Sequence, residues 1–541
     1  METCPRLILT LLLAFLALSL SPSTAYPQLD HNDFLACLSV RLQNQTSIAN
    51  VAYTPNNSSY SSILQSSIRN LRFTSPSTPK PLVIVTPVDE SQIQEVIHCS
   101  RQHGLQIRTR SGGHDYEGLS YTSRFDSPFV ILDLINLSEI TIDVGQESAW
   151  VQTGATLGQL YYRISQASRT LAFPAGGGAT VGVGGHISGG GYGSLLRKYG
   201  LAADNVVDAR LIDVNGRILD RSSMGEELFW AIRGGGGASF GVVTAWKIRL
   251  VPVPETLTFF SVNRTLEQNA TKLVHKWQYV APNLPEDILI ALIIRKVNAG
   301  ERKTVQVTFI SLFLGRVDAL LPLLEERFPE LGVRREECRE VSWVQSTLLF
   351  ANYQPEDSPE ILTSRVTRSN SSYFKAKSDY VQDPIPEHGL EGLWKLFDEE
   401  EADMAELNVA PYGGRMQEIS ESATPFPHRA GNLYKFLHLV YWDEAGKEAS
   451  ERHINWMRKL YAYLTPYVSK FPRAAYVNYR DLDLGVNKEG NTSYAQASRW
   501  GFRYFKNNFN RLVRVKTMVD PGNFFRNEQS IPPLFSWGKK N

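Results

Sequence analysis

Three glycine clusters between residues 110 and 241 constrain this chain more than any other feature. The first is Arg110-Ser111-Gly112-Gly113-His114-Asp115-Tyr116-Glu117-Gly118. The second opens with Gly176-Gly177-Gly178-Ala179-Thr180-Val181-Gly182, continues through Val183-Gly184-Gly185-His186, and closes with Gly189-Gly190-Gly191-Tyr192-Gly193. The third runs from Arg233 through Gly234-Gly235-Gly236-Gly237 to Gly241. Adjacent glycines lack the Cβ that would keep backbone N–H groups from crowding a bound anion, which suits a pyrophosphate. Any one cluster reads equally as a tightly turned loop. Three in one region favour a phosphate-bearing ligand. A Rossmann fingerprint needs G-x-G-x-x-G at a strand-to-helix turn and an acid about 20 residues later, and no cluster meets both conditions. A P-loop fails because no Gly-Lys-Ser/Thr follows at the required spacing.

The segments around the clusters alternate between short strands and helices. Lys80 to Pro87 is a β-branched run fenced by prolines and predicts a buried strand. Asp89 to His103 has apolar residues at helical spacing behind a cap, and Leu105 to Arg110 alternates as a strand does. A strand-helix-strand unit thus delivers the chain to the first cluster. Short strands and glycine turns continue to about Val251, including Val206 to Ile212, the Asn215-Gly216 turn, and Arg217 to Leu219. After Pro252-Val253-Pro254 the clusters stop. Leu266 to Tyr279, Ala319 to Phe328 and Glu448 to Tyr463 then show helical periodicity between β-rich stretches such as Thr304 to Leu314. A chain of 541 residues exceeds what one core usually organises, and a second domain is read from Glu255 to Ala475.

Behind Arg6, the apolar run Leu7 to Leu20 leads to Ser23-Thr24-Ala25, the pattern of a signal peptide cleaved after Ala25. Residues 1–25 are therefore expected to be a leader, with the mature protein in the apoplast or vacuole and no stable membrane insertion, since the run is short for a span. Eight Asn-x-Ser/Thr sequons, at Asn44, Asn56, Asn57, Asn136, Asn263, Asn269, Asn370 and Asn491, become usable on that route. With Cys4 in the leader, Cys37, Cys99 and Cys338 allow one bridge and a leftover thiol; Cys37–Cys99 is the expected pair. No metal-ligand spacing occurs among them, so no metal is expected. A formal net charge of +1 gives no bulk attraction to nucleic acid, which leaves a small molecule as the expected partner.

His114 is ambiguous on its own. Inside a pyrophosphate-cradling turn, however, a neutral imidazole is nucleophilic enough to attach to an electrophilic flavin methyl position. At these residues the sequence resembles the berberine bridge enzyme-like family, plant FAD-linked oxidases of the vanillyl-alcohol oxidase fold that include cannabinoid synthases. The resemblance covers nearly all of the mature chain. It rests on the first cluster, on Ala175-Gly176, on Val181-Gly182-Val183-Gly184-Gly185-His186, on Tyr476-Val477-Asn478-Tyr479-Arg480-Asp481-Leu482-Asp483, and on Val519-Asp520-Pro521-Gly522-Asn523-Phe524-Phe525.

The resemblance implies an α+β, two-domain fold. A PCMH-type FAD-binding domain would be formed by residues 26–254 and, returning from the other chain end, 476–541. A substrate domain, 255–475, would supply an antiparallel sheet and covering helices. It also implies FAD held by Arg110, Ser111, Gly112, Gly113, Asp115 and Gly118 of the first cluster. From the second come Gly178, Val181, Gly182, Gly185, His186 and Gly189, with a structural role as the alternative for His186. Tyr192, Gly241, Val243, Tyr479 and Asn523 complete the expected set. His114 corresponds to the family's covalent flavin ligand. A second ligand, a cysteine, is replaced here by Gly178, so one covalent bond is expected, with a lowered flavin potential and more space beside the ring.

The family's catalytic base corresponds to Tyr479, and Tyr116, Tyr192 and Lys435 match positions around it. Free tyrosine has a pKa near 10, so it acts at neutral pH only if its phenolate is stabilised; the charge of Lys435 is expected to do this. A polar family position two residues beyond Lys435 is Leu437 here, which points away from a simple alcohol oxidase. Val181 matches the oxygen-reactive members. The expected reaction is removal of a substrate proton by Tyr479, hydride transfer to flavin N5, and reoxidation by O2 to H2O2. The expected substrate is an aromatic, phenolic or alkaloid metabolite of specialised metabolism, with oxidative cyclisation as one outcome and a monolignol or carbohydrate as alternatives. A non-redox cyclase such as a Diels-Alderase on the same scaffold, and a binding protein without turnover, are the competing readings. A monomer is expected.

Overall fold

The computed structural model describes residues 31–42, 48–125, 127–366, 371–488 and 492–534. The leader and the sequons at Asn44, Asn370 and Asn491 lie outside the described residues.

Two small sheets carry the glycine clusters. In the first, β1 (Ala52–Tyr53), β2 (Val83–Val85), β3 (Gln106–Arg110) and β4 (Phe129–Asp133) lie in the order β1-β2-β4-β3, with β2 and β3 parallel to β4. Parallel neighbours need a helical crossover, and helix α1 (Glu90–Gln102) supplies the one after β2. Asp89 starts it by accepting the Gln92 N–H at 3.0 Å. Ile93, Val96 and Ile97 on its inner face share a core with Val83, Val130 and Leu132 of the strands. The predicted strand-helix-strand unit is thus present, and a Cys37–Cys99 disulfide ties the preceding helix His31–Leu42 to α1.

The second sheet is antiparallel. It contains β5 (Ile140–Asp143) and β6 (Ser148–Gln152), then, after the short β7 (Leu171–Ala172), β8 (Val206–Ile212), β9 (Ile218–Leu219) and β10 (Val242–Arg249), in the order β5-β6-β10-β8-β9. β7 pairs separately with β11 (Val251–Pro252). The second glycine cluster opens the short helix Val183–Ser188, whose Val183 and Ile187 sit in the core beneath this sheet.

Seven antiparallel strands form the third sheet: β12 (Leu257–Thr265), β13 (Ile288–Ala299), β14 (Arg302–Phe313), β15 (Cys338–Val341), β16 (Tyr373–Val381), β17 (Ala405–Pro411) and β18 (Tyr434–Trp442), ordered β15-β12-β14-β13-β17-β18-β16. Side chains alternate between its faces with a period of two. On one face Ile290, Leu292, Leu407, Val409 and Phe436 pack with Trp277, Leu393 and Trp456 from the helices Ala270–Val280, Glu387–Leu396 and Lys447–Tyr463. The other face carries Ala291, Ile293, Asn408 and Leu437, and there it borders a cavity. The C-terminal helices Tyr494–Phe505 and Asn508–Val519 bring Trp500, Phe509 and Leu512 into one core with Val183, Phe240 and Trp246.

The helix expected from Leu266 differs in the structure. A turn of 3-10 helix, Leu266–Gln268, precedes Ala270–Val280 because Asn269 between them adopts a left-handed φ of 63°. Asn56, Asn57, Asn136, Asn263 and Asn269 are exposed, and Cys338 is a half-buried free thiol. Among the described residues, no helix is long and apolar enough to cross a membrane, and no group of three His, Cys, Asp or Glu is placed to hold a metal.

Candidate active site

Between the glycine-rich sheets and the open face of the seven-stranded sheet lies a cavity of about 630 Å³. Backbone forms one wall. A Cβ on Gly112 would stand 2.3 Å from the Gly182 nitrogen, and one on Gly182 would stand 2.1 Å from Ser111 Oγ, so the first two clusters interlock only as glycine. A Cβ on Gly189 would stand 2.0 Å from Asn478 Oδ1, which brings the Tyr479 segment against the same wall. Gly241 is closed in as well, since a Cβ there would stand 2.7 Å from the Ile212 carbonyl oxygen. Gly185 is different: it lines the cavity, and no atom from outside its own short helix lies within 4 Å of where its Cβ would be.

His114 lines this wall with its Nε2 3.0 Å from Thr180 Oγ1. Burial and the nearby Arg69 push its pKa down to about 3, so the imidazole is neutral at physiological pH. The turn that presents it is fixed by Asp115. One oxygen of that carboxylate accepts the N–H groups of Glu117 and Leu119, and the other pairs with Arg480 Nε at 3.0 Å, directly after Tyr479. Ser111, Gly113, Gly178, Val181 and Val243 also line the cavity. So does His186, but its Nε2 accepts the Gly176 N–H at 3.1 Å, and burial with Lys435 nearby pushes its pKa to about 4. It therefore has the structural role that stands as its alternative, together with a place on the wall.

Three of the expected cofactor-holding residues lie off the cavity lining. Arg110 does not line the cavity, because its guanidinium pairs with buried Asp133 at 2.6 Å and donates to the Ile63 and Leu64 carbonyls. Gly118 also lies off the cavity, against the Phe73 ring in a turn with φ of 75°. Asn523 occupies a left-handed turn after the helix Asn508–Val519, its buried Oδ1 without a hydrogen-bond partner, and Arg526, Asn527 and Gln529 beyond it line the cavity.

At one end of the cavity, tyrosines converge. Tyr116 and Tyr479 stack with centroids 5.6 Å apart and planes 4° apart, and the Tyr479 and Tyr192 hydroxyls share a short hydrogen bond. Burial raises Tyr479 well above its usual pKa, with Tyr192 and Tyr116 adding to the effect; burial also raises Tyr192, to about 12. Lys435 requires a correction too. It does not line the cavity but lies behind Tyr192, with Nζ 3.0 Å from that ring's centroid and 4.8 Å from that of Tyr479. Burial, which leaves the residue 1% exposed, pushes its pKa well below the usual lysine value. The burial favours the neutral amine over the expected standing charge. Leu437 lines the cavity and shares with Phe374, Ala376 and Leu439 the apolar cluster against which Tyr116 and Tyr479 pack.

Three groups escape sequence reasoning. Thr180 is visible only as the residue beside Val181. Lys375, buried on β16, bridges Glu117 beside Tyr116 and Asp481 beyond Tyr479, at 2.7 Å from the latter, and so clamps the two loops of the tyrosine stack. Arg295, Glu406 and Asn408 make a polar row on the cavity face of β13 and β17. Strand alternation is the available signal for that row.

Interlocked glycine loops beside a sheet-floored cavity define a scaffold suited to a phosphate-bearing cofactor. The family description "FAD binding domain" matches residues 81–222, and "Berberine and berberine like" matches 475–532. The chain is 55% identical to a tetrahydroberberine oxidase of Berberis wilsoniae over 97% of its own length and 98% of the relative's. Among solved structures it resembles berberine bridge enzyme-like 28 of Arabidopsis thaliana (TM-score 0.88, 48% identity, 93% and 100% of the two chains). It also resembles berberine bridge enzyme of Eschscholzia californica (TM-score 0.86, 41% identity, 93% and 99%). The chain belongs to the berberine bridge enzyme-like family and is an FAD-linked oxidoreductase.

The residues fit that cofactor. Gly185 leaves a space within the cradle that a side chain would fill, the neighbouring glycines bring backbone close on either side, and neutral His114 stands at the cavity edge.

Proposed function

We propose that this protein oxidises an aromatic alkaloid or phenolic substrate in the cavity, with O2 as final acceptor and H2O2 as product. The observation that carries the reading is the Tyr479–Tyr192 hydrogen bond, placed over Lys435 at the cavity's end. The name of the Berberis relative favours a tetrahydroberberine-like substrate. When bound, FAD supplies a hydride acceptor that passes its electrons to O2.

The protein's residues hold the parts in place and move the proton. His114 would carry the cofactor as its only covalent ligand, since Gly178 offers no thiol. The glycine wall would take the pyrophosphate through backbone N–H groups. Tyr479 must shed its own proton to act as base, and burial makes that unfavourable unless a partner takes it up. Lys435, whose burial favours the neutral amine, would be that partner: its protonation would pair an ammonium with the Tyr479–Tyr192 phenolate. Tyr116, stacked on Tyr479, holds the ring at a fixed angle. The core shared by the C-terminal helices and the five-stranded sheet supports their return to a cofactor domain of residues 26–254 and 476–541; residues 255–475 would form the substrate domain, which packs on the same core. The disulfide supports passage through an oxidising secretory compartment.

The test is anaerobic mixing of holoprotein with tetrahydroberberine, other alkaloid precursors and monolignols. The expected result is bleaching of the bound flavin, then one H2O2 per two-electron oxidation once O2 is admitted. The apolar Leu437 favours a second reading, non-redox cyclisation. Product formed anaerobically from a flavin that stays yellow would establish that reading and sink the first.

A further inference from the structure

His114 has two ring nitrogens, and the protein engages one of them. Nε2 lies 3.0 Å from Thr180 Oγ1, which among the described residues is the hydrogen-bond partner of the ring. Thr180 is buried and is not one of the residues that line the cavity, whereas His114 is. Nε2 thus points into the protein, and Nδ1 is the nitrogen left for a ligand. The threonine has little freedom to move. The carbonyls on either side of it, those of Ala179 and Val181, accept the N–H groups of Gly158 and Leu157 at 2.9 Å each, at the start of the helix Leu157–Ala167. The first glycine cluster closes over it as well, since a Cβ on Gly112 would stand 3.0 Å from the Thr180 carbonyl oxygen.

A neutral imidazole has its proton on one nitrogen and a lone pair on the other. Burial and Arg69 keep His114 neutral, with the Thr180 backbone opposing them weakly. A lone pair at Nδ1 requires the proton on Nε2, where Thr180 Oγ1 accepts it in a hydrogen bond. When Nδ1 bonds to carbon the ring becomes a cation. The charge of Arg69 disfavours that cation, and a hydrogen bond from Nε2–H stabilises it. A hydroxyl donates as well as accepts, so the same group suits Nε2 once its proton has gone.

We propose that Thr180 is the positioning residue for flavin attachment, its hydroxyl holding His114 with Nε2–H turned inward and Nδ1 free to bond to the 8α-methyl carbon. This rests on the reading of His114 as the tether and adds what makes its imidazole competent. In the step, the Nδ1 lone pair forms the N–C bond, one 8α C–H bond breaks and leaves its electron pair on the flavin, and Nε2 gives up its proton. O2 takes the two electrons and the two protons as H2O2, as in the oxidation proposed above. Gly178 makes the assignment legible, because no second bond masks loss of the first.

The experiment uses wild type, T180V, T180S and T180A made in a riboflavin-requiring host on limiting vitamin, so that apoprotein is available and FAD can be added in air at time zero. Quenching of FAD fluorescence reads binding, and yellow colour in the acid pellet reads attachment over time. T180V should bind FAD with wild-type stoichiometry, because Thr180 lies off the cavity lining. It should attach FAD about ten-fold more slowly, the worth of one hydrogen bond, with the backbone contact of Thr180 retained. T180S keeps the hydroxyl and should match the wild type; T180A should behave as T180V and replaces it if the valine variant does not fold. Attachment at the wild-type rate without the hydroxyl, or T180S as slow as T180V, overturns the inference. So does loss of binding and attachment together in all variants, the mark of a merely structural residue. A wild type that releases its flavin in acid is a different failure: the reading of His114 as the tether then falls, and the inference with it.

Discussion

The glycine wall and the sheet wall border the same cavity, yet one is built from backbone and the other from side chains. At Gly112 and Gly182 the chain itself is the surface, because two loops approach too closely for any Cβ. On β13, β17 and β18 the backbone is used in the ladder, and alternate side chains such as Ile293, Asn408 and Leu437 form the surface. The difference separates shape from chemistry. A side chain added to the glycine wall changes the space itself, whereas an exchange on the sheet wall keeps the space and changes what it recognises.

The comparison can be broken most severely at His114. His114→Ala should release all of the flavin on acid precipitation, where the wild type carries its yellow colour into the pellet; colour retained by the variant would place the tether elsewhere. Gly185→Val comes next. No atom from outside its own helix opposes a Cβ there, so far-UV circular dichroism of the variant should match the wild type. Its flavin content should nevertheless collapse, because the new side chain occupies ligand space. A fully loaded variant would show that the cofactor does not use this part of the wall.

At the tyrosine end, Tyr479→Phe should slow anaerobic flavin reduction by about 10²–10⁴-fold, the usual contribution of a general base. Lys435→Met sharpens the assignment through its pH profile. Burial lowers the Lys435 pKa, so the amine is neutral and able to take the Tyr479 proton above that lowered value. The reduction rate of the wild type should therefore rise with pH through a transition below the usual lysine pKa and then level off. In the methionine variant the proton has lost its acceptor, and the rise should move up toward the raised range of the tyrosines. An unchanged profile would exclude Lys435 from the proton's path.

The two walls also differ in how far the sequence discloses them. Gly112 and Gly182 are legible in advance because a steric requirement of the backbone selects one residue type. The strand-helix-strand unit and the turn after β8 are legible for the same local reasons, proline fences, a cap and Asn215-Gly216. Tyr479 is legible only through family resemblance, since nothing in its composition separates it from a packing tyrosine. The row Arg295, Glu406 and Asn408 is not legible. It is assembled from strands more than a hundred residues apart, and register decides which residues meet. The place of Lys435 beside the tyrosines follows from the resemblance, but its charge state does not, because burial depth behind Tyr192 is a property of packing. Arg110 fits the motif that contains it while its side chain supports the fold around the cavity.

Leu437→Gln is expected to have the smallest effect and tests whether the sheet wall has lost a chemical group. The residue is 6% exposed, lines the cavity opposite Asn408, and belongs to the cluster against which Tyr116 and Tyr479 pack, so a glutamine would bring an amide to the tyrosine end of the cavity. If the Tyr479–Lys435 pair handles the proton, that amide is redundant. The limiting reduction rate should then change by less than about ten-fold, with affinity changing more than rate. General acid or base assistance typically contributes about 10²–10⁴-fold. A rise of that size in the variant would mean that leucine marks a real deficit.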